Sequence, residues 1–265
     1  MSEYLHGYDQ NEFHRLVKQA EFLGPEIFQQ IDLSFSKKLL EPGCGAGAQT
    51  RFLAMKAPSA QILSFDRAED PIAFAQNWLK NTDASLQSRI HFIASEAIAL
   101  QGVYADTFDA CYICWMLEHV SNPVQQLKDI KPLLQKNAHI FITEVQNDTL
   151  RFFPECPLTM RAWEAICKHQ LAIGGDPYVG YKCAGYLAEA GFSHVEVLPH
   201  LMIRSKDAPL ELNAMVQYWA KLMYSAIRFI DQSLWDGVEE ELANWLQNND
   251  ARFEYTFVQS FGSNI

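Results

Sequence analysis

Apolar and polar positions along the chain follow a repeating order: a short continuous apolar run, a turn marked by glycine or proline, then apolar residues every three to four positions. Phe13, Leu16, Val17, Ala20 and Leu23 predict a helix from about Gln10 to Leu23, opened by a capping pattern of Asp9 with Glu12. Residues 25 to 32 predict a second short helix. Leu39 and Leu40 then run straight into a glycine-rich turn, as the end of a buried strand would. A helix-compatible stretch follows from Ala48 to Met55.

The same alternation continues. It predicts a strand at about 60 to 65 closed by Asp66, a helix from Pro71 to Lys80 behind Asp70, and a strand from about Arg89 to Ala94. Phe108 to Cys114 is an almost unbroken apolar run, the mark of a strand buried on both faces. Asn122 and Pro123, with Gln125 three positions after the Asn, announce a helix that stops before Pro132; a strand at Ala138 to Val145 comes next.

Beyond Asn147 the pattern departs from simple alternation. Residues 147 to 186 are rich in aromatics and hold a helix from about Leu158 to Ala172 and a Gly-Gly-Asp-Pro break, which suits a substrate lid. A helix at Lys182 to Ala190, closed by Gly191, precedes a sixth strand at 194 to 204. Ala208 to Ile230 and Leu234 to Leu246 predict two helices, the first with a Met and aromatic stripe that fits core, a pocket cap or a subunit interface. Phe253, Tyr255 and Phe257 alternate as a last strand. The class this predicts is α/β, a Rossmann-like doubly wound sheet of seven strands with helices on both faces.

The chemistry-bearing stretch is LLEPGCGAGAQT, Leu39 to Thr50. Glycine lets the backbone bend sharply and approach a ligand, and a turn that opens a helix presents N–H groups. Asp66 follows the first glycine of the turn, Gly43, by 23 positions, where a carboxylate suits the two hydroxyls of a ribose. A solvated strand-end acid would not explain that spacing.

Composition narrows the partners. A chain of 265 residues with 49% apolar content buries one substantial core. Its net charge of −11 argues against nucleic acid. No apolar run reaches the length of a membrane span. Cys111 and Cys114 form the one CxxC among six cysteines. On a strand, residues three apart face opposite sides, so the pair is read as buried thiols and not as a metal or disulfide site; a reducing, cytoplasmic setting fits.

LLEPGCGAG, the LSFD strand end, FIASEA at 92 to 97 and FDACYICWMLEHVSNP at 108 to 123 together resemble a class I S-adenosylmethionine-dependent methyltransferase, of the type 11 or ubiquinone-methylase kind that acts on small molecules. The resemblance covers roughly Leu39 to Glu144. It departs from the family at Pro42, where a small or apolar residue is usual, and at Arg67, where an apolar residue more often follows the ribose acid.

What the resemblance implies is specific. The last strand runs antiparallel between strands five and six, and one domain is organised as an N-terminal helical lid (1–35), a cofactor-binding core (36–146), substrate-side helical additions with strand six (147–250) and the last strand (251–265). Gly43, Cys44, Gly45 and Gly47 shape the turn beside the methionine moiety, and Glu41 steadies the turn or receives the ammonium. Gln49 is placed to meet the carboxylate. Asp66 takes the ribose, with Arg67 beside it; Glu96 and Ala97 take the adenine; Cys114 and Met116 line the centre. Tyr4, His6 and Tyr8 belong to a segment that covers the cofactor or pins the terminus to the core.

The acceptor is then a small amine, phenol or quinone-like metabolite, methylated on O, N or C. His119, Glu144, Tyr178 and Tyr181 are the candidates for removing its proton, and the residues do not choose among them. His119 also fits a purely structural role. No metal is called for, and the N-terminal or C-terminal helices offer a surface for a homo-oligomer. Two other readings compete: a NAD enzyme, against which the turn reads GxGxG and not GxGxxG, and a degenerate domain that binds cofactor as a scaffold, against which the glycines and Asp66 are intact.

Overall fold

A computed structural model describes residues 5–7, 9–82 and 84–265. Five parallel strands form one side of an eight-stranded sheet: β1 (Lys38–Pro42), β2 (Gln61–Asp66), β3 (Ile90–Ala94), β4 (Phe108–Cys114) and β5 (Leu134–Val145). The order β3-β2-β1-β4-β5 reverses direction at β1, between β2 and β4. In such sheets a ligand crevice opens beyond the carboxyl ends at that point. β8 (Arg252–Asn264) runs antiparallel between β5 and β7 (Ser193–Ser205), as the family resemblance implies. A short β6 (Arg151–Phe153), absent from the sequence expectation, pairs with the start of β8 on the side that β5 covers further along.

Helices close both faces. α1 (Gln10–Ile27), α2 (Thr50–Lys56), α6 (Pro157–Ala172), α8 (Pro209–Ile227) and α9 (Val238–Trp245) pack with Leu39 and Tyr112 in one apolar core. α4 (Ala97–Tyr104), α5 (Pro123–Ile130) and α7 (Cys183–Glu189) pack with Leu40, Cys111 and Ile113 in the other. Neighbours such as Leu39 and Leu40 part company because successive strand side chains point to opposite faces. Cys111 and Cys114 separate in the same way, one in the second core and the other beside the first. α3 (Glu69–Thr82) links β2 to β3.

Local chemistry explains where helices start. Asp9 Oδ1 accepts Glu12 N–H at 2.9 Å and Asn122 Oδ1 accepts Gln125 N–H at 3.0 Å, as the capping patterns predict. The second helix expected at 25 to 32 does not form. α1 continues through Gly24-Pro25, because Gly24 has no Cβ to clash with the proline ring. A Cβ there would also meet the Phe52 ring at 2.6 Å. The long C-terminal helix expected from Leu234 is broken at Gly237, φ +79°, into a 3₁₀ turn and α9. Among the described residues no helix is long and apolar enough to cross a membrane.

Candidate functional site

The glycine turn follows β1 directly, and each of its glycines adopts a positive φ: Gly43 at +66°, Gly45 at +49° and Gly47 at +71°. A Cβ on Gly43 would lie 2.4 Å from Met116 Cγ, so this position lets two loops touch. On Gly45 a Cβ would meet nothing within 4 Å. Asp66, at the end of β2, ties the turn down: its Oδ2 accepts Gly45 N–H and its Oδ1 accepts Ala68 N–H, both at 3.0 Å.

Under the turn lies Glu41, 3% exposed. Its Oε2 accepts the hydroxyls of Thr50 and Ser64, each at 2.6 Å, which fastens the start of α2 and the middle of β2 to β1 while Oε1 stays uncommitted. Burial pushes its carboxyl up to about 7, against the pull of those two hydroxyls. Burial also raises the Cys44 thiol, so it is no nucleophile.

Between this turn, the end of β4 and α1 opens a cleft of about 470 Å³. It brings together most of the residues expected at the cofactor: Glu41, Gly43, Cys44, Gly45 and Gln49 on one side, Asp66, Arg67 and Glu96 along the strand ends, and Cys114 and Met116 opposite, with His119, expected as a proton acceptor or a structural residue, beside them. Gln49 Oε1 is buried there with no partner. Two expected residues are not on its walls. Gly47 instead allows close packing, since a Cβ would strike Ala75 and Phe92 at 2.9 Å, and the Ala97 side chain is buried in the second core. Tyr4 and Tyr8 lie outside the described residues. Phe13, Leu16 and Gln19 of α1 complete the cleft. The helical period marks α1 as amphipathic, but nothing in it distinguishes a cleft wall from core.

The turn after β4 is held under strain. Trp115 has φ +50°, a conformation that bulky residues avoid. Its N–H donates to Thr143 O at 2.9 Å, and the next two N–H groups, of Met116 and Leu117, both donate to Glu144 Oε1 at 2.8 and 2.6 Å. Glu144 is fully buried, its Oε2 has no partner, and burial with the nearby Glu118 holds its carboxyl well above the usual range. This differs from its expected placement as a proton acceptor facing the methyl acceptor: it is a buried fastener of the turn and lines neither cavity.

Trp115 also borders a second, smaller cavity of about 60 Å³, on the side of α6 and α8. Glu118, Gln170, Trp163, Tyr218 and Trp219 contribute to its walls, and Leu5 and His6 close it. His6 Nδ1 lies 2.7 Å from Ser225 Oγ; burial and the charges of Arg15, His119 and Arg228 lower its pKa well below the ordinary value. This part of the N-terminal segment therefore covers the inner cavity and not the cofactor cleft. Glu118 Oε2 accepts Gln170 Nε2–H at 2.8 Å, and Oε1 lies 3.7 Å from His119 Nε2.

Tyr178 and Tyr181, expected as lid catalysts, are not brought to either cavity. Tyr178 is half-buried beside Cys167, and Tyr181 is 53% exposed, its N–H donating to Gln146 Oε1. The break at 174–177 folds back instead onto the turn after β4, where Asp176 N–H donates to Glu118 O at 2.7 Å. Sequence reasoning missed Glu118, whose loop surroundings carry no mark of a pocket, whereas Trp219 belongs to the Met and aromatic stripe read as core, pocket cap or interface and lies on the cavity wall. Among the described residues no group of His, Cys, Asp and Glu is arranged to hold a metal ion.

The fold is that of the class I S-adenosylmethionine-dependent methyltransferases. A family model for a methyltransferase domain matches residues 33–222, and the chain belongs to that family. Curated relatives include the ubiquinone biosynthesis O-methyltransferase of Actinobacillus pleuropneumoniae serotype 5b (strain L20), 28% identical over 127 residues that cover 48% of this chain and 53% of that one. Its counterpart in Photobacterium profundum is 25% identical over 43% of this chain and 46% of the other. The chain thus spans about half the length of the curated relatives it matches. Among solved structures, an S-adenosylmethionine-dependent methyltransferase from Aquifex aeolicus aligns with a TM-score of 0.55 at 13% identity, covering 98% of this chain and 100% of that one. Haemonchus contortus phosphoethanolamine N-methyltransferase 2, in complex with S-adenosyl-L-methionine, aligns with a TM-score of 0.53 at 15% identity over 96% of this chain and 52% of the other.

Proposed function

We propose that the chain transfers a methyl group from S-adenosylmethionine to the O, N or C nucleophile of a small molecule. The observation that carries this reading is the junction at Trp115, where the glycine-turn cleft and a smaller, mostly apolar cavity meet at one side chain. The residues of the cleft fit the cofactor. Gln49 Oε1 is an orphaned buried acceptor, Glu41 has an uncommitted oxygen, and the open space at Gly45 is the room a ligand against the turn requires. Glu41 and Gln49 would hold the amino-acid end, Asp66 the ribose, Glu96 and Arg67 the base, and Cys114 and Met116 the centre.

When bound, S-adenosylmethionine supplies an electrophilic methyl group on a positively charged sulfur. The chain's residues orient and enclose. Glu144 and Gly43 fix the Trp115–Met116 turn between the two cavities. Orientation of this kind supplies about 7 to 11 kcal/mol in favourable cases. Walls of Trp163, Tyr218 and Trp219 exclude water from the acceptor side.

The net charge of −11 supports a reading without a nucleic-acid partner, and six unpaired cysteines support a reducing, cytoplasmic setting. A homo-oligomer through the terminal helices and a single-domain organisation belong to the same reading. The test is incubation of the purified chain with S-adenosylmethionine and a panel of small amines, phenols and quinols, read by mass spectrometry. A methylated small product supports the proposal; product only on a protein or RNA acceptor overturns it.

A further inference from the structure

β7 is an open edge of the sheet, and the row of side chains along it is apolar. β5 and β6 cover one side of β8 and β7 covers the other over Ser193–Ser205; no further strand pairs with β7 among the described residues. Which backbone groups the edge presents follows from β8. Thr256 N–H donates to Thr149 Oγ1 at 2.9 Å, so the backbone groups of Thr256 face the β6 side. Antiparallel pairing alternates, so those of Tyr255 and Phe257 face β7, opposite Met202 and His200. Val197, Pro199, Leu201, Ile203 and Ser205 therefore turn their backbone groups outward, and Pro199 sits where an edge strand tolerates a proline. Their side chains share the face opposite to that of Met202. Val197 is 40% exposed, Leu201 56% and Ile203 46%.

A long apolar edge is a template for another strand, and its pattern selects which. We propose that two copies of this chain pair through β7, antiparallel, about a two-fold axis at Leu201, so that their sheets become one. In this register Leu201 faces its own copy, and each N–H bonds the other's carbonyl. Ile203 N–H donates to Pro199 O of the second copy, and Val197 exchanges hydrogen bonds with Ser205. Pro199 has no N–H to return to Ile203 O. That carbonyl is already satisfied, because Arg204 Nη1–H donates to it at 2.8 Å. The donor that Pro199 lacks thus falls opposite a carbonyl that does not need it.

Charge agrees with the register. On the other face of the joined sheet the exposed Glu196 of one copy comes opposite Lys206 of the second, just past the end of β7. A shift of two residues in either direction spoils one half of the match. Shifted one way, Pro199 meets Leu201, whose carbonyl has no other donor among the described residues. Shifted the other way, Glu196 meets Ala208 in place of Lys206. A two-fold interface must be complementary to itself, and this strand is. Pro199, Leu201 and Ile203 with their symmetry mates then form one apolar patch across the axis. The contact is separate from the terminal-helix surface and does not rest on the methyltransferase reading. β5 and β8 stand between β7 and the cleft strands β1 and β4, so pairing leaves the cleft open.

The test is sedimentation of the whole chain, with cross-linking to read the register. At micromolar concentration the wild type sediments at twice the 30.2 kDa of one chain. Leu201→Lys sets two ammonium groups against each other on the axis and weakens dimerisation roughly tenfold or more. Leu201→Cys is joined to its copy by a short bis-maleimide. Val197→Cys is not, because its copies lie ~27 Å apart along the strands at ~3.4 Å a residue. Wild type, whose cysteines are buried except for the half-buried Cys114, gives the background. A monomeric wild type overturns the proposal. So does a dimer that a folded Leu201→Lys leaves equally tight, which places the contact elsewhere, or equal cross-linking of the two cysteine variants, which denies the register. The wild-type mass and the cysteine pair decide the matter even where the lysine variant fails to fold.

Discussion

Glu144 Oε1 accepts the backbone N–H of Met116 at 2.8 Å, and through it a residue of β5 sets the conformation of the turn that separates the two cavities. The same oxygen takes Leu117 N–H at 2.6 Å, and the strained Trp115 precedes both. A backbone held in a sparsely populated region persists only where its surroundings over-determine it. Here the over-determination comes from a carboxyl group without access to solvent.

Removing that group exposes the dependence. Glu144→Ala leaves two buried N–H groups unpaired, at roughly 1 to 3 kcal/mol each, and lowers stability in urea unfolding accordingly. Glu144→Gln keeps an acceptor oxygen for both N–H groups, so it loses less stability than the alanine variant. An alanine variant as stable as wild type, or a glutamine variant as damaged as alanine, contradicts the fastener role.

The glycines separate fold from ligand. Gly45→Ala puts a methyl group into open cleft space on a backbone with φ +49°. The left-handed conformation costs about 1 to 2 kcal/mol there, and S-adenosylhomocysteine binding weakens well beyond that loss of stability. Gly47→Ala drives a methyl against Ala75 and Phe92, so it destabilises by a further ~1 to 3 kcal/mol of overpacking. Calorimetry beside thermal melting tells the two apart; equal loss of stability and affinity in both variants would refute the division.

This division shows what could and could not be read from the residues. The spacing of Gly43, Gly45 and Asp66, the apolar run of β4 and the capping residues Asp9 and Asn122 are local signals, and the structure places them as expected. Gly24-Pro25 misled because its purpose is close contact with Phe52, a residue distant in sequence. α4, with Gly102 and a mixed apolar face, carries too little helical period to be seen. Glu144 was found as a strand-end acid, but only the fold shows it turned inward onto two backbone N–H groups. Tyr178 and Tyr181 looked like lid residues by composition, and the 174–177 break folds them away from both cavities.

Glu41 predicts a pH signature. Its folded pKa of about 7 stands above the ordinary value of 4.5, so between these pH values the folded chain binds more protons than the unfolded one. The stability contributed is therefore full below the ordinary value and is lost as pH rises through the folded one, a change on the order of 3 kcal/mol. Glu41→Gln removes that slope. Urea midpoints of wild type and variant between pH 5 and 8 converge or cross if this holds, and run parallel if Glu41 is ionised throughout.

Asp66→Ala removes the carboxylate that accepts from both Gly45 and Ala68. Loss of charged hydrogen bonds worth ~1.5 to 3 kcal/mol predicts roughly a tenfold to hundredfold weaker cofactor affinity. Wild-type affinity in a folded Asp66→Ala chain would remove the ribose assignment.

The most direct measurement is calorimetric titration of the purified chain with S-adenosylmethionine and, separately, with NAD. The account predicts saturable one-to-one binding of S-adenosylmethionine, weakened in Gly45→Ala, and none of NAD. Binding of NAD alone, or of neither, would contradict it.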